Sequence, residues 1–198
     1  MSNYAEIINQ NLDRLYRSIP VDLAERLPAE HVADNFAFQA FGESCQLGLK
    51  GIKLAGAKET GPKGVIISLY ALQATLVSCQ LTPFKAFREI PDSMPYVAAF
   101  ASRTEQVLFD QIDKIEHHAD RIAGQFGGSA GSDNSAGDFS LFVYPLPKIA
   151  LNYIFYRADD EFPASATCLF SSNAATFLPT DALADTGEYT SKKILEII

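Results

Sequence analysis

Phe36-Ala37-Phe38-Gln39, followed by Leu47-Gly48-Leu49-Lys50-Gly51-Ile52-Lys53-Leu54, decides the fold. Apolar residues recur in short alternations, the texture of strands that turn one face to a core. Gly42-Glu43-Ser44 lies between the two runs and supplies a turn, so they read as two strands of a β-hairpin. Further strands are expected at Phe139 to Tyr144, Ile149 to Tyr156 and Ala166 to Phe170.

Around these strands the period becomes helical. Ile8, Leu12, Leu15 and Ile19 form one apolar stripe over residues 3 to 18. Pro20 stops this helix, and Asp22 caps a short second one that ends before Pro28. Gly56 to Gly64 reads as a loop. Val65, Leu69, Leu72 and Leu76, widened by Ile66, Tyr70 and Val77, then make a helix apolar around much of its circumference. Such a helix belongs in the centre of a domain. A short strand is expected at Phe84 to Ile90. Leu108, Ile112, Ile115, Ala119 and Ile122 give the cleanest stripe, one helix from Arg103 to Ala123. Thr180 caps a last helix, whose acids Asp181, Asp185 and Glu188 come early and Lys192 and Lys193 late, as the helix dipole favours.

Gly127 to Gly137 holds no large apolar residue with which to anchor itself to a core, and reads as a flexible Gly/Ser-rich loop. The residues after it carry only three strands and a helix, too few for a second domain. The expected architecture is a single α+β domain over residues 1–198. It has a mostly antiparallel sheet, an amphipathic N-terminal helix, a buried central helix and a C-terminal helix.

Composition limits the function. The chain has 198 residues, 47% apolar and 20% charged, as in an ordinary folded globule. A domain of this size buries about 70% of its unfolded-chain surface and needs no metal or disulfide to fold. Its 24 acids against 16 bases leave a net charge of −8, which argues against nucleic acid or an anionic membrane as a main partner. Cys45, Cys79 and Cys168 are odd in number and far apart, neither a disulfide framework nor a zinc or iron–sulfur ligand set. They read as small buried hydrophobes in a reducing cytosol. No apolar run approaches the ~20 residues that span a bilayer. The first residues, Met1-Ser2-Asn3-Tyr4-Ala5-Glu6, lack the basic and apolar regions of a signal peptide. A cytoplasmic location is expected.

Four stretches resemble chemical motifs. Gly127-Gly128-Ser129-Ala130-Gly131 matches a hydrolase nucleophile elbow. That elbow needs a strand before it, a helix after it and a later histidine, whereas His31, His117 and His118 all lie upstream. Gly56-Ala57-Lys58-Glu59-Thr60-Gly61-Pro62-Lys63-Gly64 approaches a phosphate-binding loop, but Pro62 stands in place of the lysine and removes an N–H. Asp113, Glu116, His117 and Asp120 fall at i, i+3, i+4 and i+7 on the clean helix, a weak set of metal-ligand candidates. This face is opposite the apolar stripe and reads as solvated. Arg157-Ala158-Asp159-Asp160-Glu161-Phe162-Pro163 ends an aromatic strand with three consecutive carboxylates, which repel one another unless a wet turn, a cation or an arginine relieves them. Arg157, Asp159, Asp160 and Glu161 are therefore the candidate ligand-binding residues. Asp113, Glu116, His117 and Asp120 rank below them.

The run Asp159-Asp160-Glu161-Phe162-Pro163, then Ala166-Thr167-Cys168-Leu169-Phe170, then Phe177-Leu178-Pro179-Thr180-Asp181-Ala182-Leu183-Ala184, resembles a prokaryotic family known as domain of unknown function 3786. Leu69-Tyr70-Ala71-Leu72 and Phe100-Ala101-Ser102-Arg103-Thr104-Glu105 are similar to it as well. The resemblance implies an origin in anaerobic bacteria or archaea and no established activity. Some members look fused to cysteine-rich iron–sulfur modules, which this chain lacks. The family pattern often has an acid after the Leu-Phe of the penultimate strand, where this chain has Ser171.

Two readings follow. The favoured one is a non-catalytic module that binds a small molecule or a protein, because every enzyme motif fails on context. The alternative is a metal-dependent enzyme using Asp159, Asp160 and Glu161 as oxygen ligands or acid/base groups, with a divalent metal as its cofactor. No other cofactor is evident. A structural subunit of a larger assembly is a third, plainer option, and the sequence leaves the oligomeric state open.

Overall fold

A computed structural model describes residues 3–131 and 137–198. The N-terminal stripe forms α1 (Asn3–Arg17), which buries Ile8, Leu12 and Leu15. Ile19 lies beyond its end and is half-exposed. The short helix α2 (Leu23–Arg26) follows, but Asp22 caps no backbone group. Its carboxylate takes the Arg26 guanidinium at 2.8 Å instead.

The expected hairpin is the middle of a larger sheet. β1 (Glu30–Val32), β2 (Asn35–Ala40), β3 (Glu43–Gly48), β4 (Gly51–Leu54) and β5 (Ala57–Glu59) pair antiparallel in chain order. The alternation over residues 47–54 is cut by a reversal at Leu49-Lys50, and the preceding turn sits at Phe41-Gly42. Leu47 and Ile52 pair across the reversal and both are fully buried. The period-two pattern thus continues in phase through a two-residue turn and hides it. β5 lies in the stretch read as a loop, because an edge strand held by backbone bonds needs no apolar side chain. Ala33, Phe41 and Ala55 open three of the turns at φ of +52°, +52° and +51°, conformations that turn chemistry does not predict for these residues.

The central helix is α3 (Pro62–Leu72), with Ile66, Ile67, Ser68, Tyr70 and Ala71 buried. The Asn11 side-chain amide donates to Ser68 Oγ at 2.9 Å and ties α1 to it. The helix stops at Leu72, so Leu76 and Val77, expected on its stripe, are exposed. The strand expected at residues 84–90 is reduced to β6 (Lys85–Ala86) and a tight turn at Phe87–Glu89.

The single helix expected over residues 103–123 is broken. α4 (Val97–Phe100) runs into a π-helical turn at Ala101–Glu105 and a 3₁₀ segment at Gln106–Gln111, followed by α5 (Ile112–His117) and α6 (Ala119–Gln125). Phe100, Thr104, Leu108 and Ile112 are all buried. A spacing of four residues rotates off the core face of a 3.6-residue helix, and the wider π-helical turn keeps Phe100 and Thr104 together on that face.

The second sheet is built from β7 (Ser129–Gly131), β8 (Phe139–Leu146), β9 (Ile149–Tyr156) and β10 (Ser165–Phe170), in the order β6-β10-β9-β8-β7. Residues 132–136 of the expected glycine loop lie outside the described residues. Ser129–Gly131 of that loop is a strand paired with Ser140–Phe142, since backbone pairing asks nothing of the side chains. α7 (Thr180–Ile197) packs on this sheet, with Tyr153 Oη and Ser191 Oγ 3.0 Å apart. A Cβ at Gly187 would come within 2.6 Å of the Phe100 ring, so glycine is what lets α7 approach the π turn. The Thr180 hydroxyl donates to the Pro91 carbonyl at 2.8 Å rather than capping its own helix. The two sheets meet where Phe41 N donates to the Pro145 carbonyl at 2.7 Å, and one contiguous apolar core runs through both. The fold is α+β with antiparallel sheets, as expected.

Candidate functional site

The acidic turn after β9 is held by its own residues. Asp159 Oδ1 accepts the N–H groups of Glu161 and Phe162 at 2.8 and 2.7 Å, and Asp159 N donates back to the Phe162 carbonyl. This is an Asx turn, which occupies one of the three carboxylates. Asp160 and Glu161 are exposed. Arg157 points elsewhere: its guanidinium forks onto Glu116 of α5, and its backbone N–H donates to Asp138 Oδ2 at 2.6 Å. Glu116 thus raises the pKa of Arg157 by hydrogen bond and charge together. The structure joins one residue from each candidate set, Arg157 and Glu116, and leaves the carboxylate run outside that pair.

Asp113, His117 and Asp120 are exposed, as a solvated face requires. A break at His118 separates α5 from α6 and interrupts their helical spacing. Among the described residues no three His, Cys, Asp or Glu side chains are grouped so as to hold a metal ion.

The remaining motifs also resolve into structure. Ser129 lies on β7, not on a strand-to-helix elbow. At the head of α3, Glu59 Oε1 accepts the Gly61 N–H at 2.5 Å, so the protein's own carboxylate takes the seat of an anion. Burial pushes the Cys45 thiol up to about 12 and raises Cys79 and Cys168 as well. Three protonated thiols offer no activated nucleophile. Ser171 is buried and its hydroxyl accepts the Ala150 N–H at 3.3 Å.

A different place has the form of a binding site. Where the end of α1 and α2 pass over the first sheet, they leave a cleft of about 550 Å³. Ile19, Pro20, Val21, Ala24, Phe36 and Leu49 give it apolar walls. Ile19, Val21 and Leu49 stay exposed around its mouth. His31 and Phe36 pair across β1 and β2 with their rings stacked at 4.8 Å, which fixes one wall. Asn35 lies opposite Gly48, where any Cβ would meet its side-chain oxygen at 2.0 Å.

Polar groups converge on these walls. The Tyr16 hydroxyl is shut off from solvent and has no hydrogen-bond partner. Burial, with the charge of Asp34, raises its pKa. Asp34 and Lys50 also line the cleft, and neither makes an ion pair among the described residues. Apolar walls with a few unmatched polar groups are what a small-molecule site consists of. Sequence reasoning missed it because its residues come from four separate segments. The available signal was Val21 and Leu49, large apolar residues at turn positions.

A family model described as a domain of unknown function, number 3786, matches residues 20–193. The chain belongs to the domain of unknown function 3786 family. No curated protein and no solved structure matches it. In this member of family 3786 the cleft straddles the start of the match: Val21, His31, Phe36 and Leu49 fall inside it, while Tyr16 and Ile19 precede it. No helix among the described residues is long and apolar enough to cross a membrane.

Proposed function

We propose that the protein is a cytosolic, non-catalytic binding module whose ligand occupies the cleft between α1, α2 and the first sheet. The carrying observation is that apolar walls and an unpartnered Tyr16 hydroxyl share one cleft. Such a site suits a flat apolar body with a hydrogen-bonding end: the body lies against Phe36, Val21 and Leu49, and the end lies toward Asp34 and Lys50, where a small shift of the wall opens the Tyr16 hydroxyl to it. The three protonated thiols, and a Ser129 that is not set on an elbow, support binding over catalysis. The Asx turn at Asp159 supports reading the acidic run as a surface turn.

Anilinonaphthalene sulfonate, an aromatic dye with an anionic end, tests this on the folded protein. Saturable fluorescence at one dye per chain is expected, lost in Leu49→Glu and kept in Phe162→Glu, which alters an exposed apolar residue far from the cleft in sequence. Saturation that survives Leu49→Glu would sink the proposal.

A further inference from the structure

A second cleft, of about 320 Å³, lies between α7 and the π-helical turn and shares no residue with the first. One wall is acidic. Asp181, Asp185 and Glu188 stand at i, i+4 and i+7 on α7, hence on one face. Two of these charges are already answered. Glu188 receives Lys192 at 2.6 Å and Arg103 at 3.4 Å, and Asp181 Oδ1 accepts the Ala182 N–H at 2.8 Å. Asp185 has no hydrogen bond or ion pair among the described residues. Burial raises its pKa and the neighbouring Glu188 and Asp181 raise it further, against the lowering charges of Arg103 and Lys192, which are both paired with Glu188.

The opposite wall carries an independent sign. Thr104 is completely buried, lines the cleft, and its hydroxyl has no partner. It sits in the π-helical turn, a winding often found where a chain builds a site. The rings of Tyr96 and Phe100 line the same space. An unanswered carboxylate, a hydroxyl lacking a donor and aromatic rings have one complement in common: a cation that donates hydrogen bonds. A metal ion needs several oxygen ligands together, and no three acids among the described residues are so grouped. A primary ammonium needs fewer, because it carries three donors on one centre.

We propose that this cleft binds a small organic cation through a primary ammonium group, which donates to Asp185 and Thr104 while its alkyl part lies against Phe100 and Tyr96. The volume suits a chain of a few carbons. Arg103 lines the same cleft with its guanidinium turned to Glu188, which leaves Asp185 as the acid facing the ligand.

The test is titration of the isotope-labelled full chain with n-butylammonium chloride, followed by amide chemical shifts, with sodium chloride and 1-butanol as controls. Saturable shifts are expected at residues 103–105 and 184–188, with 1-butanol and sodium chloride inert. Asp185→Asn, a half-exposed change that leaves the fold intact, should weaken binding about tenfold, the loss of one charge-assisted hydrogen bond. Thr104→Val should melt no lower than the parent, having lost an unpartnered buried hydroxyl, yet bind butylammonium severalfold more weakly. An equal response to 1-butanol, undiminished binding by Asp185→Asn, or displacement of butylammonium by equimolar calcium chloride would each overturn the proposal. The dye experiment on the first cleft is unaffected by any of these outcomes.

Discussion

The two sheets share antiparallel pairing but differ in what covers them. In the second, β9 is buried at every position except Asn152 and Tyr156, so both of its faces are covered. On the side of its neighbour β10 that the two-residue β6 covers only at Leu169 and Phe170, Glu105 continues the closure, its carboxylate accepting the Cys168 N–H at 2.9 Å. In the first sheet β1 is exposed at all its residues, and no side chain among the described residues hydrogen-bonds to it. The second sheet concentrates burial and therefore stability. The first, relieved of that demand on one side, keeps apolar side chains at its surface around a cleft.

Truncations give the largest test of this contrast. Phe155→Ala, at a fully buried site of β9, should cost about 3–5 kcal/mol in urea unfolding, whereas Leu49→Ala at the cleft mouth should stay within about 0.5 kcal/mol. Comparable losses would mean that Leu49 is packed into the core rather than exposed at the mouth of the cleft.

Two tyrosines sharpen the comparison at a smaller scale. Tyr153 Oη is hydrogen-bonded to Ser191, and Tyr16 Oη to nothing. Tyr153→Phe should therefore destabilise by about 1–2 kcal/mol, while Tyr16→Phe should be neutral or slightly stabilising. A loss of stability in Tyr16→Phe would show a partner for that hydroxyl and remove the polar end of the proposed site.

The smallest effect concerns the closed edge of β10. Burial raises the pKa of Glu105 above its ordinary 4.5, against the lowering effect of the Cys168 N–H. An acid with a raised folded-state pKa binds its proton more tightly when folded, so stability falls as pH climbs from the ordinary value through the folded one. Glu105→Gln keeps an acceptor for Cys168 and removes the titration. Its unfolding midpoint should gain on the parent as pH rises from about 4 to 7. A constant difference would show that Glu105 titrates as an exposed carboxyl does.

Much of the fold was legible because burial imposes period. α1, α3, β8, β9 and β10 lie where apolar spacing places them. The errors share one cause, features that leave the pattern unbroken or never enter it. The Leu49-Lys50 reversal preserves alternation, and the π-helical turn corrects a four-residue spacing that resembles an ordinary helical stripe. β1, β5 and β7 are short edge strands held by backbone bonds, so their side chains hardly announce them. The acidic run was visible as composition, but its Asx turn depends on local backbone geometry.

The sequence by itself determined the α+β class, the buried central helix, the principal strands and family membership, since each is written in local periodicity or in contiguous residues. Tertiary structure alone decided which polar groups were left without partners. Tyr16 and Asp185 look like any other tyrosine and aspartate in the chain. Their distinction is that the Tyr16 hydroxyl is shut off from solvent with no partner, and Asp185 lines a cleft with no hydrogen bond or ion pair among the described residues. A hydrogen bond that is not made depends on every neighbour at once, and no stretch of sequence records it.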